Sequence, residues 1–179
     1  YARSWIRDGA MMSEAMLRLG DEQVARDYLD WFAPFQFADG KIPCCVDRRG
    51  ADPVPENDSQ GEFIFLNAQL WKYTRDRALL TRMWPRVRHA AVFMEAQRQS
   101  GRTAASRASL FGLLPASISH EGYSAKPMHS YWDDFWGLRG YRDAATMAAA
   151  LGQTAAAADE HKQTTARMVV FFMHAEMLG

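Results

Sequence analysis

Apolar residues recur along most of this chain every three to four positions, the spacing that lays one face of an α-helix against a core. Val24, Tyr28, Trp31 and Phe35 keep that rhythm with Glu22, Gln23, Arg26, Asp27 and Asp30 between them, which predicts a surface helix burying one stripe. Val87, Ala90, Ala91 and Met94 repeat the pattern, and Pro85 suits the first turn of that helix after a short lead-in over 77–83. Residues 59–74 differ, because Phe63, Ile64, Phe65, Leu66, Leu70, Trp71 and Tyr73 cover nearly the whole circumference and predict a helix buried on all sides. Met11, Ala15 and Leu19, with Met12 and Met16 beside them, predict another buried helix, and residues 135–151 a third. Each ends at a turn: Gly20-Asp21, Thr74-Arg75-Asp76 and Gly152-Gln153, glycine being common just past a helix end.

A buried helix that turns sharply into a more amphipathic one, followed by a longer loop, therefore recurs about three times. Strand patterns are almost absent, and the expected class is all-α. The loops over 38–58 and 100–130 hold the Gly, Pro, Ser and Asp that irregular backbone requires, and 100–109, small, polar and basic, is the expected mobile stretch. From about residue 153 the pattern weakens. Residues 155–158 are all Ala, and 168–173 are apolar on every side where an outer helix should keep a polar face.

The 179 residues suit one domain, 1–179, with a sizeable core. Lys plus Arg is 21 and Asp plus Glu is 21, so no net field gathers phosphates or anionic lipid, and neither nucleic acid nor a membrane is an expected partner. The longest strongly apolar run, 168–173, is far short of the roughly 20 residues a spanning helix needs. The only cysteines, Cys44 and Cys45, are neighbours that cannot staple distant segments and lack the second pair of a zinc site. His89, His161 and His174 have no partners at ligand spacing, and no Gly-rich phosphate loop or Ser-His-Asp arrangement occurs, so neither metal nor cofactor is expected. Aromatic residues make up 12% of the chain and include six Trp, several of them in polar surroundings.

Those aromatics gather where the buried helices begin. Trp5-Ile6-Arg7-Asp8 precedes the first, Glu56-Asn57-Asp58-Ser59-Gln60-Gly61-Glu62 the second, and His129-Ser130-Tyr131-Trp132-Asp133-Asp134 the third. If the three helices run parallel, as a repeated hairpin demands, the clusters share one end of the bundle and converge on one pocket. Asp58, Ser59, Ser130 and Asp133 are equally suited to cap their helices. Capping does not account for Trp5, Arg7 and Trp132. A ring beside a charged group suits a sugar subsite, with the ring on the apolar face of a pyranose and the charges on its hydroxyls.

Trp5-Ile6-Arg7-Asp8 resembles the Trp/Arg-Asp motif of the glucoamylase-like six-hairpin glycosidases. Gly112-Leu113-Leu114-Pro115 followed by Tyr131-Trp132-Asp133-Asp134 is similar to the segment where those families place an aromatic and paired acids, and Trp84-Pro85 to the start of one of their outer helices. The resemblance spans roughly residues 1–152. It implies a partial (α/α)6 toroid of about three helical hairpins, from a glycoside hydrolase acting on α-linked glucosides or related oligosaccharides with inversion. Arg7 and Asp8, with Asn57, Asp58, Gln60, His129 and Tyr131 nearby, would hold hydroxyls; Trp5 and Trp132 would line the subsite. Asp133 would be the general acid, with Asp134, which otherwise holds the adjacent sugar, and the loop residue Glu121 in reserve.

Inverting hydrolysis needs carboxyls about 6.5–9.5 Å apart on opposite faces of the sugar. Asp133 and Asp134 are neighbours on a helix, pointing about 100° apart, and cannot straddle one. Asp58, Glu56 and Glu62 are available, but the resemblance puts the base on a late inner helix beyond this chain. The chain, opening at Tyr1 almost on the first cluster, is thus expected to be a piece whose partner is the remaining half of the barrel. In the loop, His120 and Tyr123 to Lys126 either rim the pocket or form ordinary loop. A non-enzymatic helical-repeat scaffold, or a carbohydrate-binding fragment, is the competing reading. A terpene-cyclase-like toroid needs facing acidic runs, of which Asp133-Asp134 supplies one.

Overall fold

The structure, a computed structural model, describes residues 2–118 and 126–153. Five α-helices dominate these residues: α1 (Ile6–Arg18), α2 (Glu22–Phe32), α3 (Ser59–Thr74), α4 (Arg77–Ser100) and α5 (Tyr131–Ala150). A small antiparallel sheet, β1 (Arg3–Trp5), β2 (Cys45–Asp47) and β3 (Gly50–Ala51), joins the start of the chain to the loop before α3. The fold is all-α in class. No helix among the described residues is long and apolar enough to cross a membrane.

α3 is the axis of the packing. Its residues from Ser59 to Leu70 are buried on every side, as its apolar circumference predicts, whereas in its last turn Trp71 is half-buried and Tyr73 is exposed, so the expected all-round burial stops one turn short. α1 and α5 flank it in the same direction: Arg7 at the start of α1 meets Asp58 at the start of α3, Trp132 at the start of α5 meets the same Asp58, and Lys72 late in α3 pairs with Asp143 on α5. α2 and α4 return antiparallel outside them. The Tyr28 hydroxyl donates back to the Trp5 carbonyl, and Gln97 near the end of α4 bonds Gln60 near the start of α3. Arg26 with Asp76 ties the outer helices to each other.

Gly61 and Gly140 set the approach of α3 to α5. A Cβ on Gly61 would stand 2.1 Å from the Trp136 carbonyl oxygen, and one on Gly140 2.9 Å from the Gly61 Cα, so neither position admits a side chain unless the helices part. That approach carries the start of α5 to the start of α3. The turn after α3 is closed by Arg75 in the left-handed region at φ 54°, its N–H donating to the Trp71 carbonyl.

The structure corrects several expectations. α1 buries Ile6, Ala10, Ser13 and Leu17, while Met11, Met12, Ala15 and Leu19 are exposed. The small side chains of Ala10 and Ser13 turn that row inward, toward α3, and leave the methionine row outside. On α2 the buried row is Ala25, Leu29 and Phe32, one position along from the expected stripe. The expected Val24–Tyr28–Trp31–Phe35 stripe is a half-exposed aromatic row whose rings lie against one another, Trp31 to Phe35 at 5.5 Å between centroids. α2 stops at Phe32, and Pro34 leads into a short 3-10 turn, Ala33–Phe35. Pro85 lies inside α4, and the lead-in over 77–83 is the first part of that same helix. The proline and Thr81, whose carbonyl loses its partner, both face solvent, so water satisfies the break at little cost. α5 begins at Tyr131, four residues before the predicted start. The two hairpins α1–α2 and α3–α4 are present; the outer helix expected after α5 lies outside the described residues.

Candidate functional site

Each inner helix contributes side chains from its first turn or the residues just before it. Arg7 stands one residue into α1 and reaches across to α3, where its Nε and Nη2 donate to Asp58 Oδ2 at 3.0 and 2.7 Å and Nη2 also donates to Glu56 Oε2 at 3.0 Å. Glu62, one turn into α3 and on the same face as Asp58, has Oε1 3.6 Å from Arg7 Nε. From α5, the Trp132 indole N–H donates to the same Asp58 Oδ2 at 2.7 Å, and the Arg7 guanidinium lies 5.9 Å from the Trp132 ring centre. One carboxylate oxygen thus ties three helices together. Asp58 occupies the N-cap position of α3 yet makes no capping bond, its side chain being engaged by Arg7 and Trp132. Ser130 does cap, accepting from the Trp132 N–H at 3.2 Å.

The electrostatics of this cluster are unbalanced. Three carboxyls face one guanidinium, and all three are buried. Burial, and then the neighbouring Asp58, push Glu56 up to about 7 against the pull of Arg7. The same causes hold Glu62 well above the usual carboxyl range. Burial works against the Arg7 charge, but Asp58, Glu62 and Glu56 together raise the guanidinium above its ordinary value. Both glutamates therefore hold their protons to higher pH than an exposed carboxyl does. A carboxyl titrating near 7 is placed to give or take a proton under ordinary conditions.

The other expected residues fall around this centre. Trp5 and Asp8 line a cavity of about 770 Å³ between α1 and α2, together with Met12, Met16, Val24 and Tyr28. Burial pushes Tyr28 up to about 12, so its hydroxyl stays protonated and donates to the Trp5 carbonyl at 3.1 Å. A Cβ on Gly9 would stand 2.0 Å from the tyrosine ring, so a side chain there would displace the end of Tyr28. On the other flank, His129, Tyr131 and Asp134 line a cavity of about 310 Å³ with Leu110 and Leu113. His129 Nδ1 lies 2.9 Å from the Leu114 carbonyl.

Asp133 and Asp134 are buried and engaged with the loop that precedes them. Ser117 Oγ donates to Asp133 Oδ2 at 2.6 Å, and the Leu114 N–H donates to Asp134 Oδ1 at 3.2 Å. Asn57 and Gln60 are buried as well and face α4: Gln97 donates to Asn57 Oδ1 at 2.6 Å and accepts from Gln60 Nε2 at 3.3 Å, while Asn57 Nδ2 donates to the Pro115 carbonyl. Glu121, His120 and residues 123–125 lie outside the described residues, and Lys126 is exposed.

Sequence reasoning treated Glu56 and Glu62 as spare carboxyls, although their spacing around Asp58 already put Glu62 on its face of α3. Gln97 and Ser117 gave no sign of their roles, being ordinary polar residues in a helix and a loop. Among the described residues, one group has the chemistry and closeness to hold a metal ion: Cys44, Cys45 and Asp52. No family model matches the chain, and no curated protein matches it in sequence.

Proposed function

We propose that this chain is part of a glycoside hydrolase of the six-hairpin class, a partial (α/α)6 toroid acting on α-linked glucosides or related oligosaccharides by inverting general acid/base hydrolysis. The observation that carries the reading is the meeting of Trp132, Arg7 and Asp58 at the common end of three parallel helices, with Trp5 and Asp8 on one flank. Rings beside fixed charges suit a pyranose, whose apolar face stacks and whose hydroxyls accept and donate. Asp133 serves as general acid, with Asp134 and Glu121 in reserve, and the base comes from the part of the barrel outside this chain. Access to Asp133 requires the Ser117 segment to shift, because the carboxyl is 1% exposed and bonded to Ser117.

A non-enzymatic helical scaffold or carbohydrate-binding fragment is the second reading. It is favoured by the engagement of both Asp133 and Asp134 with their own loop. Activity separates the two. In the whole protein, hydrolysis of an α-glucoside with inversion and a loss of at least about 100-fold in kcat on Asp133→Asn supports the enzyme. Undiminished kcat in that variant removes Asp133 from the role. The isolated chain, lacking the base, is expected to turn over no aryl α-glucoside.

A further inference from the structure

Successive residues of a strand point to opposite faces, so neighbouring cysteines ordinarily keep their sulfurs apart. Here a bend at Cys44, just before β2, brings the two sulfur atoms to 3.3 Å. Asp52, just past β3, folds back so that its N–H donates to the Cys45 carbonyl at 2.9 Å and its Oδ2 lies 3.9 Å from Cys45 Sγ. All three ligand atoms lie within 4.8 Å of one another, and both thiols are free and buried.

We propose that Cys44, Cys45 and Asp52 form a binding site for a thiophilic divalent cation of the zinc class. A tetrahedral ion about 2.3 Å from sulfur and about 2.1 Å from oxygen sets its ligands roughly 3.6–3.8 Å apart. The distances of 3.3 and 3.9 Å bracket that range and the third, Cys44 Sγ to Asp52, is within 4.8 Å, so side-chain adjustments of up to about 1 Å seat the ion. Charge also closes: two thiolates and a carboxylate against a dication leave one negative charge, and Arg3 Nη1 stands 3.7 Å from Asp52 Oδ2 to balance it. The other charged groups acting on the thiols are Lys41 and Arg49, which are cationic, and Glu56, an acid. Binding releases two thiol protons to solvent and moves no electrons. Water completes the fourth position.

The ion has a structural consequence. The Cys44 carbonyl accepts from the Ile6 N–H at 3.0 Å, and Cys45 pairs with Trp5 across β1 and β2. The site thus fastens the backbone from which Trp5 and Arg7 project.

The test is an anaerobic titration of the reduced, chelator-treated chain with cobalt(II). One equivalent is expected to produce sulfur-to-cobalt charge-transfer absorption and the visible bands of a tetrahedral site, both abolished by zinc. Cys45→Ser should cut the charge-transfer absorption at saturation to about half and weaken binding by about 100-fold, and replacing both cysteines by serine should abolish the band. Asp52→Asn, at a partly exposed position, should keep the band and weaken binding by about 10-fold. The proposal is overturned by wild-type protein that shows no charge-transfer band, by a band of undiminished intensity in Cys45→Ser, or by both thiols remaining reactive at saturating zinc.

Discussion

At the turn end of the bundle, where α1 and α3 finish, charges are matched. Arg18 pairs with Glu14 at 2.9 Å on an exposed surface, Arg26 with Asp76 at 2.7 Å, and the deeply buried Asp143 is held by both Lys72 and Arg139 at 2.8 and 2.7 Å. At the opposite end, where the inner helices begin, a single guanidinium serves Glu56, Asp58 and Glu62 in a buried setting. The residue types are the same and the balance is reversed. Buried carboxyls beyond the available cations cost stability, because each must be desolvated and neutralised by a proton. A fold selected for stability alone would be expected to resemble the turn end. The contrast is what the proposed site at the helix starts explains: polar groups held close for a ligand, at the expense of a quieter core.

Removing the shared cation should break the contrast most severely. Arg7→Met leaves Asp58 buried without the guanidinium that engages it, and urea unfolding is expected to show a loss of about 3–5 kcal/mol. The next effect is in pH. Glu56 binds its proton more tightly in the folded chain, where its value is about 7, than in the unfolded chain near 4.5, so its contribution is full below 4.5 and is lost as pH rises through 7. That difference amounts to at most about 3 kcal/mol, and Glu62 acts in the same direction. Stability should therefore be higher at pH 5 than at pH 8, and Glu56→Gln should flatten the slope between them; an unchanged slope would assign the proton elsewhere.

Separating the helices should be milder. Gly61→Ala forces α3 and α5 apart at the Trp136 carbonyl and is expected to cost about 2 kcal/mol, with a red shift of tryptophan fluorescence as the Trp132–Asp58 bond loosens. Smallest is the control at the turn end. Arg18→Met removes an exposed pair and should change stability by no more than about 0.5 kcal/mol, measured by the same unfolding curve.

The parts of the molecule written in long, repeated patterns were legible beforehand. α3 announced itself because an all-round apolar helix has few other places to go, and the core row of α4 followed from Val87, Ala90, Ala91 and Met94, all buried. The meeting of the helix starts followed from parallel packing of repeated hairpins. What was missed depends on small residues or on distance. The inward face of α1 is set by Ala10 and Ser13, which hydrophobicity alone ranks below the methionines that end up outside. The strands are two or three residues long and hold together through pairing between Trp5 and Cys45, 40 positions apart, which no local pattern encodes. The proton load on Glu56 and Glu62 arises only once three chain segments bury them together.

The claim that the helix-start cluster is built around a sugar is tested most directly by titrating a maltooligosaccharide into the chain and following the indole N–H resonances by NMR. Saturable shifts of Trp5 and Trp132, with Trp71 and Trp84 unmoved, are the predicted result. Shifts spread over all the indoles, or none at Trp5 and Trp132 up to high sugar concentration, would contradict it.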